Sequence, residues 1–121
     1  MKGYAKIAGL LLLPVVFYGF LAEASTENKN KKEIGKEIYK EHCQVCHGEN
    51  GDGKTFVANV LQPQPRNFKN PLIIDSLKRN QMIYSVINGR PGTGMMPWKL
   101  NLTANEIDAV VHFIRSEFMG N

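Results

Sequence analysis

The sequence predicts a small all-α domain, and three observations predict it. A capping box followed by an apolar stripe marks one strong helix near the carboxyl end. Two further segments place apolar residues at helical spacing. No stretch of any length alternates as a strand would, and no segment repeats. The chain has 121 residues, enough for one small domain.

Taken in order, residues 1–24 read as an export signal. Lys2 and Lys6 form a positive start, Ile7 to Leu21 an apolar run, and Ala22-Glu23-Ala24 a small-x-small cleavage site. The competing reading is an uncleaved anchor. The uncharged run from Ile7 to Ala22 is short of the roughly 20 residues that span hydrocarbon, and Pro14 interrupts it. The cleaved signal is the preferred reading, and either one places the rest of the chain outside the cytoplasm, in the periplasm or an equivalent compartment. An inner-membrane anchor facing the periplasm is the alternative.

Residues 25–32 are polar, without apolar periodicity, and read as a flexible linker to a domain at 33–121. A first helix is expected over about Glu33 to Cys43, where Gly35, Ile38, Tyr39, His42 and Cys43 recur at helical spacing. Gly48, Gly51 and Gly53 end it. An extended loop follows through Pro63, Pro65 and Pro71. A second helix is expected over about Asn80 to Asn88, stopped by Gly89, with 76–79 as a conceivable extension. A Gly- and Pro-rich loop then carries Met95, Met96, Pro97 and Trp98. In the last helix Thr103 and Glu106 form the capping box, Leu102 staples onto Ile107, and Ile107, Val110, Val111 and Ile114 make the stripe.

The chemistry lies in Cys43-Gln44-Val45-Cys46-His47, a C-x-x-C-H unit and the attachment signature of c-type haem. Positions i, i+3 and i+4 share one face of a helical turn. Two thiols there can bond to the two vinyl groups of one haem while the adjacent imidazole reaches the iron. Zinc would need four ligands, and no second cysteine or histidine pair exists. A thioredoxin-like dithiol belongs in a βαβ pattern, which is absent. The chain has no cysteines beyond these two, so no disulfide framework competes.

Haem iron has a second axial position, which a Met or His would fill. Met82 falls at a core position of a helix and Met119 at a fraying end. His112 lies off the apolar stripe, as a surface histidine would, and His42 is too close to Cys43 to reach the opposite face. Met95 and Met96 remain, in a loop long enough to cross it.

Three segments resemble the class I cytochrome c family, in particular bacterial monohaem domains. They are Gly35–Tyr39 leading into Cys43–Gly53, Val86–Gly89 followed by Gly92–Trp98, and Leu102–Ile107 through Arg115. The resemblance covers roughly residues 33–117. It implies a small cytochrome c fold of three or more helices around one covalent haem c. It also implies that the Met directly before Pro is the sixth ligand, here Met96, although a second Met at 95 departs from the family pattern. Gly35, Tyr39 and Phe113 match the residues through which the family packs its first and last helices. A proline carbonyl, of Pro63 or Pro65, is expected to accept from the second nitrogen of His47. Trp98 is expected as a wall residue, with a hydrogen-bond donor to a haem propionate as the alternative.

Two axial protein ligands imply a one-electron carrier of a respiratory or similar chain, not an enzyme. A fixed electron-entry subunit of a membrane complex is the alternative, and a haem sensor or haem enzyme ranks below both. The net charge is +4. Residues 25–49 hold five Lys and five Glu, residues 50–100 seven Lys or Arg against two Asp, and residues 101–121 one Arg against three acids. The basic excess thus lies in the loops expected to wrap the haem. Lys54, Lys69, Arg90 and Lys99 are expected to dock an acidic redox partner. No basic stripe or motif suggests nucleic acid.

Overall fold

The computed structural model describes residues 12–120, with side chains described at residue 23 and from residue 25 onward. The charged start of the expected export signal, with Lys2 and Lys6, lies outside the described residues. The chain divides into two units, residues 1–30 and residues 31–121. In the first, the backbone is helical from Leu12, as the opening part of α1 (Leu12–Ile38). No helix among the described residues is long and apolar enough to cross a membrane.

Residues 25–32, expected as an irregular linker, are helical. The reason is local: no Gly or Pro falls between Ala22 and Ile34 to stop a helix. Within the second unit Lys31 pairs with Asp108, and Lys32 with Glu117 at 2.8 Å. After Ile38 the helix widens into a π-turn at Tyr39–Cys43 and resumes as α2 (Gln44–His47). A single-turn π segment of this kind frequently accompanies a functional site.

The expected extended loop contains two short helices, α3 (Phe56–Val60) and α4 (Pro71–Ser76). Thr55 Oγ1 accepts from the Ala58 N–H at 2.9 Å, and Asn70 Oδ1 from the Leu72 N–H at 3.0 Å. Pro71 occupies the first turn of α4, where a missing N–H costs nothing and the fixed φ favours the helix. Pro71, expected within an extended loop, starts a helix. Next comes α5 (Arg79–Asn88), and 77–78 separate it from α4.

The last helix, α6 (Ala104–Ile114), has the predicted cap. Thr103 Oγ1 accepts from the Glu106 N–H at 3.3 Å, and Glu106 Oε2 accepts from the Thr103 N–H at 2.8 Å. Ile107, Val110, Val111 and Ile114 are all buried, each contributing about 1.5–3 kcal/mol of transfer free energy. A π-turn at Arg115–Met119 continues α6. It carries Met119 into the core, 4% exposed, where a frayed end was expected.

The first and last helices cross at Gly35. A Cβ there would clash with the Ala109 carbonyl and with Phe113 Cβ, so α1 rests directly on the α6 backbone. Tyr39, one turn on, is buried with its ring 5.5 Å from Phe113 and 5.2 Å from Phe118. Gly35, Tyr39 and Phe113 therefore meet as the resemblance implied. No strand occurs among the described residues.

Candidate haem-binding site

Cys43 ends the π-turn, and Cys46 and His47 follow on α2. No disulfide joins the two cysteines. Burial pushes the Cys43 thiol up to about 12, helped by Cys46 nearby. The loop after His47 is tightly held. Gly53 N–H donates to the His47 carbonyl at 2.8 Å, and Gly51 N–H to the Gly48 carbonyl at 3.1 Å. The Tyr39 hydroxyl also donates to the Gly48 carbonyl, at 2.7 Å, in a buried bond that ties α1's end to the loop.

The His47 ring stacks on Phe68, centroids 4.7 Å apart and planes 17° apart. Burial lowers its pKa, and the backbone of Arg66 opposes that shift. An imidazole kept neutral is one able to bind a metal ion. His47 Nδ1 is buried, and no acceptor meets it at hydrogen-bond geometry. Neither Pro63 nor Pro65 accepts from it as expected. The backbone group nearest in effect is that of Arg66, next in the chain after Pro65.

Cys43, Cys46, His47, Met95 and Met96 line one cavity of about 680 Å³. Its apolar wall includes Phe68, Leu77, Met82, Val86, Val111 and Ile114. Trp98 stands in it as a wall residue. Arg66 and Arg90 bring positive charge to the lining. The methionine loop is braced from within: Arg90 N–H donates to the Met95 carbonyl at 2.9 Å and Trp98 N–H to the Val86 carbonyl at 2.9 Å. Gly89 has φ +65°, and a Cβ there would meet the Met95 carbonyl oxygen and Pro97 N at 2.7 Å. A left-handed glycine is thus what lets the loop fold back. Met95 packs partly against the core, whereas Met96 is 60% exposed. Met82 is 5% exposed and Met119 4%, both core residues. His42 also lines the cavity and packs its ring at a tilt against Trp98, centroids 4.9 Å apart.

These residues fit a haem. Two thiols and a buried neutral imidazole share one wall, thioethers stand on the loop, and an apolar interior with cationic edges suits a flat macrocycle bearing two carboxylates. No cluster of His, Cys, Asp and Glu able to hold a bare metal ion occurs among the described residues. The cytochrome c family matches residues 32–117. The chain belongs to the cytochrome c family.

Solved structures agree. The chain is similar to the "KustC0563 c-type cytochrome", with TM-score 0.60 and 29% identity over 68% of this chain and 94% of that one. It is also similar to a chain of the "reducing HAO-like protein complex Kustc0457/Kustc0458" of Kuenenia stuttgartiensis, with TM-score 0.58 and 29% identity. That match covers 69% of this chain but only 41% of the other's length. No curated protein matches. The fold is the small all-α cytochrome c fold, and membership implies covalently bound haem c and electron transfer.

Phe68, Arg66 and the Tyr39 hydroxyl were not singled out as site groups. Each owes its role to long-range packing that leaves no periodic trace. The four expected docking cations do not all serve one rim: Arg90 lines the cavity, whereas Lys69 lies 6.0 Å over the Phe118 ring.

Proposed function

We propose that this cytochrome c is a one-electron carrier with a single haem, bonded through Cys43 and Cys46 and ligated by His47 and Met96. The convergence of those side chains on one apolar cavity carries the reading. A bound haem c would supply reversible one-electron chemistry at its iron. The chain's own residues supply the rest. His47, held by Phe68 and the pinned loop, presents a neutral imidazole. Met96 offers a thioether, which raises the potential. The apolar wall excludes water and favours the less charged reduced state, while Arg66 and Arg90 offset the propionate charge. A haem held by both His47 and Met96 would leave oxygen and peroxide no open site, which favours a carrier over an enzyme.

Residues 1–24 act as the export signal in this reading, and the carrier works in the periplasm or an equivalent compartment of a respiratory or similar chain. Arg90, Lys54 and Lys99 favour an acidic redox partner. A second reading, an electron-entry subunit fixed to a complex, is favoured by the similarity to a chain of a multi-protein complex. Intact mass of the denatured protein, matured in a bacterium that makes c-type cytochromes, tests these points together. Residues 25–121 plus one haem is the expected mass. Retention of residues 1–24 with haem would favour the tethered subunit, and an apoprotein mass would end the haem reading. Rapid carbon monoxide binding to the reduced protein would exclude ligation by Met96.

A further inference from the structure

Lys32, Lys36, Lys69 and Phe118 do not line the cavity, yet aromatic packing connects Phe118 to His47. His47 stacks on Phe68, which is buried. Phe68 in turn lies parallel to Phe118, planes 9° apart and centroids 6.5 Å apart. Phe118 is half-buried and reaches the surface beside Gly51, whose missing side chain makes room for the ring: a Cβ on Gly51 would stand 2.6 Å from it. Lys69 lies over the Phe118 ring. Lys32 pairs with Glu117, and Lys32, Lys36 and Lys69 together hold the Glu117 carboxyl below its usual range, chiefly through its hydrogen bond to Lys32. Lys69 thus stands over the ring, and Lys32 and Lys36 lie near Glu117 beside it, three ammonium groups against two carboxylates, Glu117 and the Glu33 that Lys36 reaches at 3.8 Å.

An aromatic centre with a charged rim is the make-up of a protein interface, and its positive excess selects the partner. We infer that the Lys32–Lys36–Lys69 surface around Phe118 is a docking site for an acidic redox protein, separate from the cavity mouth. It rests on the carrier reading. The Phe118–Phe68–His47 stack gives that partner a packed route of rings to the axial imidazole. What crosses it is one electron, lost by one protein and gained by the other, with no bond or proton changed. A carrier with two such faces can hold donor and acceptor in different places.

Hexacyanochromate(III), a paramagnetic trianion, serves as the probe for acidic groups. Titrated at low salt into the isotope-labelled, haem-loaded protein, it should broaden the amides of residues 32–36, 69 and 117–118 as well as those near Arg90. Lys36→Glu with Lys69→Glu should abolish the first set and leave the second. In an Arg90→Glu background, which weakens the route at the cavity mouth, the same pair should slow oxidation by hexacyanoferrate(III) roughly tenfold at low salt, an effect lost at high salt. Phe118→Leu should keep the broadening yet slow that oxidation severalfold. Broadening near Arg90 alone, or equal rates in parent and Phe118→Leu proteins, would overturn the inference. So would binding to phosphatidylserine vesicles that Lys69→Glu abolishes, since the patch would then be a membrane contact. Haem content, read by mass on the same samples, reports on the carrier reading separately.

Discussion

The crossing of α1 on α6 and the cavity beside it are built on opposite principles. At the crossing, Gly35 lets backbone touch backbone and the rings of Tyr39, Phe113 and Phe118 interlock, so the protein's own atoms fill the space. At the cavity, apolar walls and polar fingers converge around about 680 Å³. One region holds the fold and the other shapes a binding site. The two meet at Tyr39, whose ring belongs to the crossing and whose hydroxyl pins the loop behind His47.

The largest expected effect breaks the packed side. Gly35→Val must separate α1 from α6 and should cost about 3 kcal/mol or more, read as a lower denaturant midpoint with the haem still attached. The next breaks the cavity side alone. Met96→Ala should lower the potential by on the order of a hundred millivolts and admit carbon monoxide, with the denaturant midpoint less affected than by Gly35→Val. Met95→Ala should leave the potential nearly unchanged, and the reverse pattern would assign the ligand to Met95.

Much of this contrast was legible in the sequence, for reasons particular residues make plain. Thr103, Glu106 and the stripe behind them are local signals, and α6 lies where they put it. The C-x-x-C-H unit is local too. Glycine at 35 and the aromatics at 39 and 113 were assigned to the crossing by resemblance, since nothing in their spacing announces a partner 70-odd residues away. What stayed hidden depended on neighbours distant in sequence or on position within a turn. Pro71 reads as a breaker until Asn70 is seen capping it. Phe68 has no periodic context, and its stacking on His47 is a product of the fold. The helix at 25–32 lacks an apolar face to announce it, although the absence of Gly and Pro there is local, and the ion pairs of Lys31 with Asp108 and Lys32 with Glu117 are the part that only the fold reveals.

Smaller effects sharpen the comparison. Tyr39→Phe keeps the ring and removes the hydroxyl, so it should cost about 1 kcal/mol in chemical denaturation. It should also alter the spectrum of a haem held by His47, because the junction serves both regions. Loss of stability without any spectral change would confine Tyr39 to the crossing. Smallest is Glu117, on the outer edge. Its carboxyl is held low in the fold by Lys32, so its stabilisation is present above the ordinary carboxylate pKa and fades as pH falls through the lowered value. Glu117→Gln should remove a few tenths of a kcal/mol near neutral pH and nothing in acid, followed by thermal melts across that range.

The closure of this domain by its last helix also sets a sequence of events in time. Cys43, Cys46 and His47 are synthesised well before Val111 and Ile114, which complete the wall, and before Phe118, which seats on Gly51. Until those residues arrive the two thiols stand in open chain. Once they are in place Cys43 is half-buried in the cavity wall, and burial pushes its thiol up to about 12. The carboxyl end thus supplies, last in the chain, the wall that closes over the residues that would hold the haem.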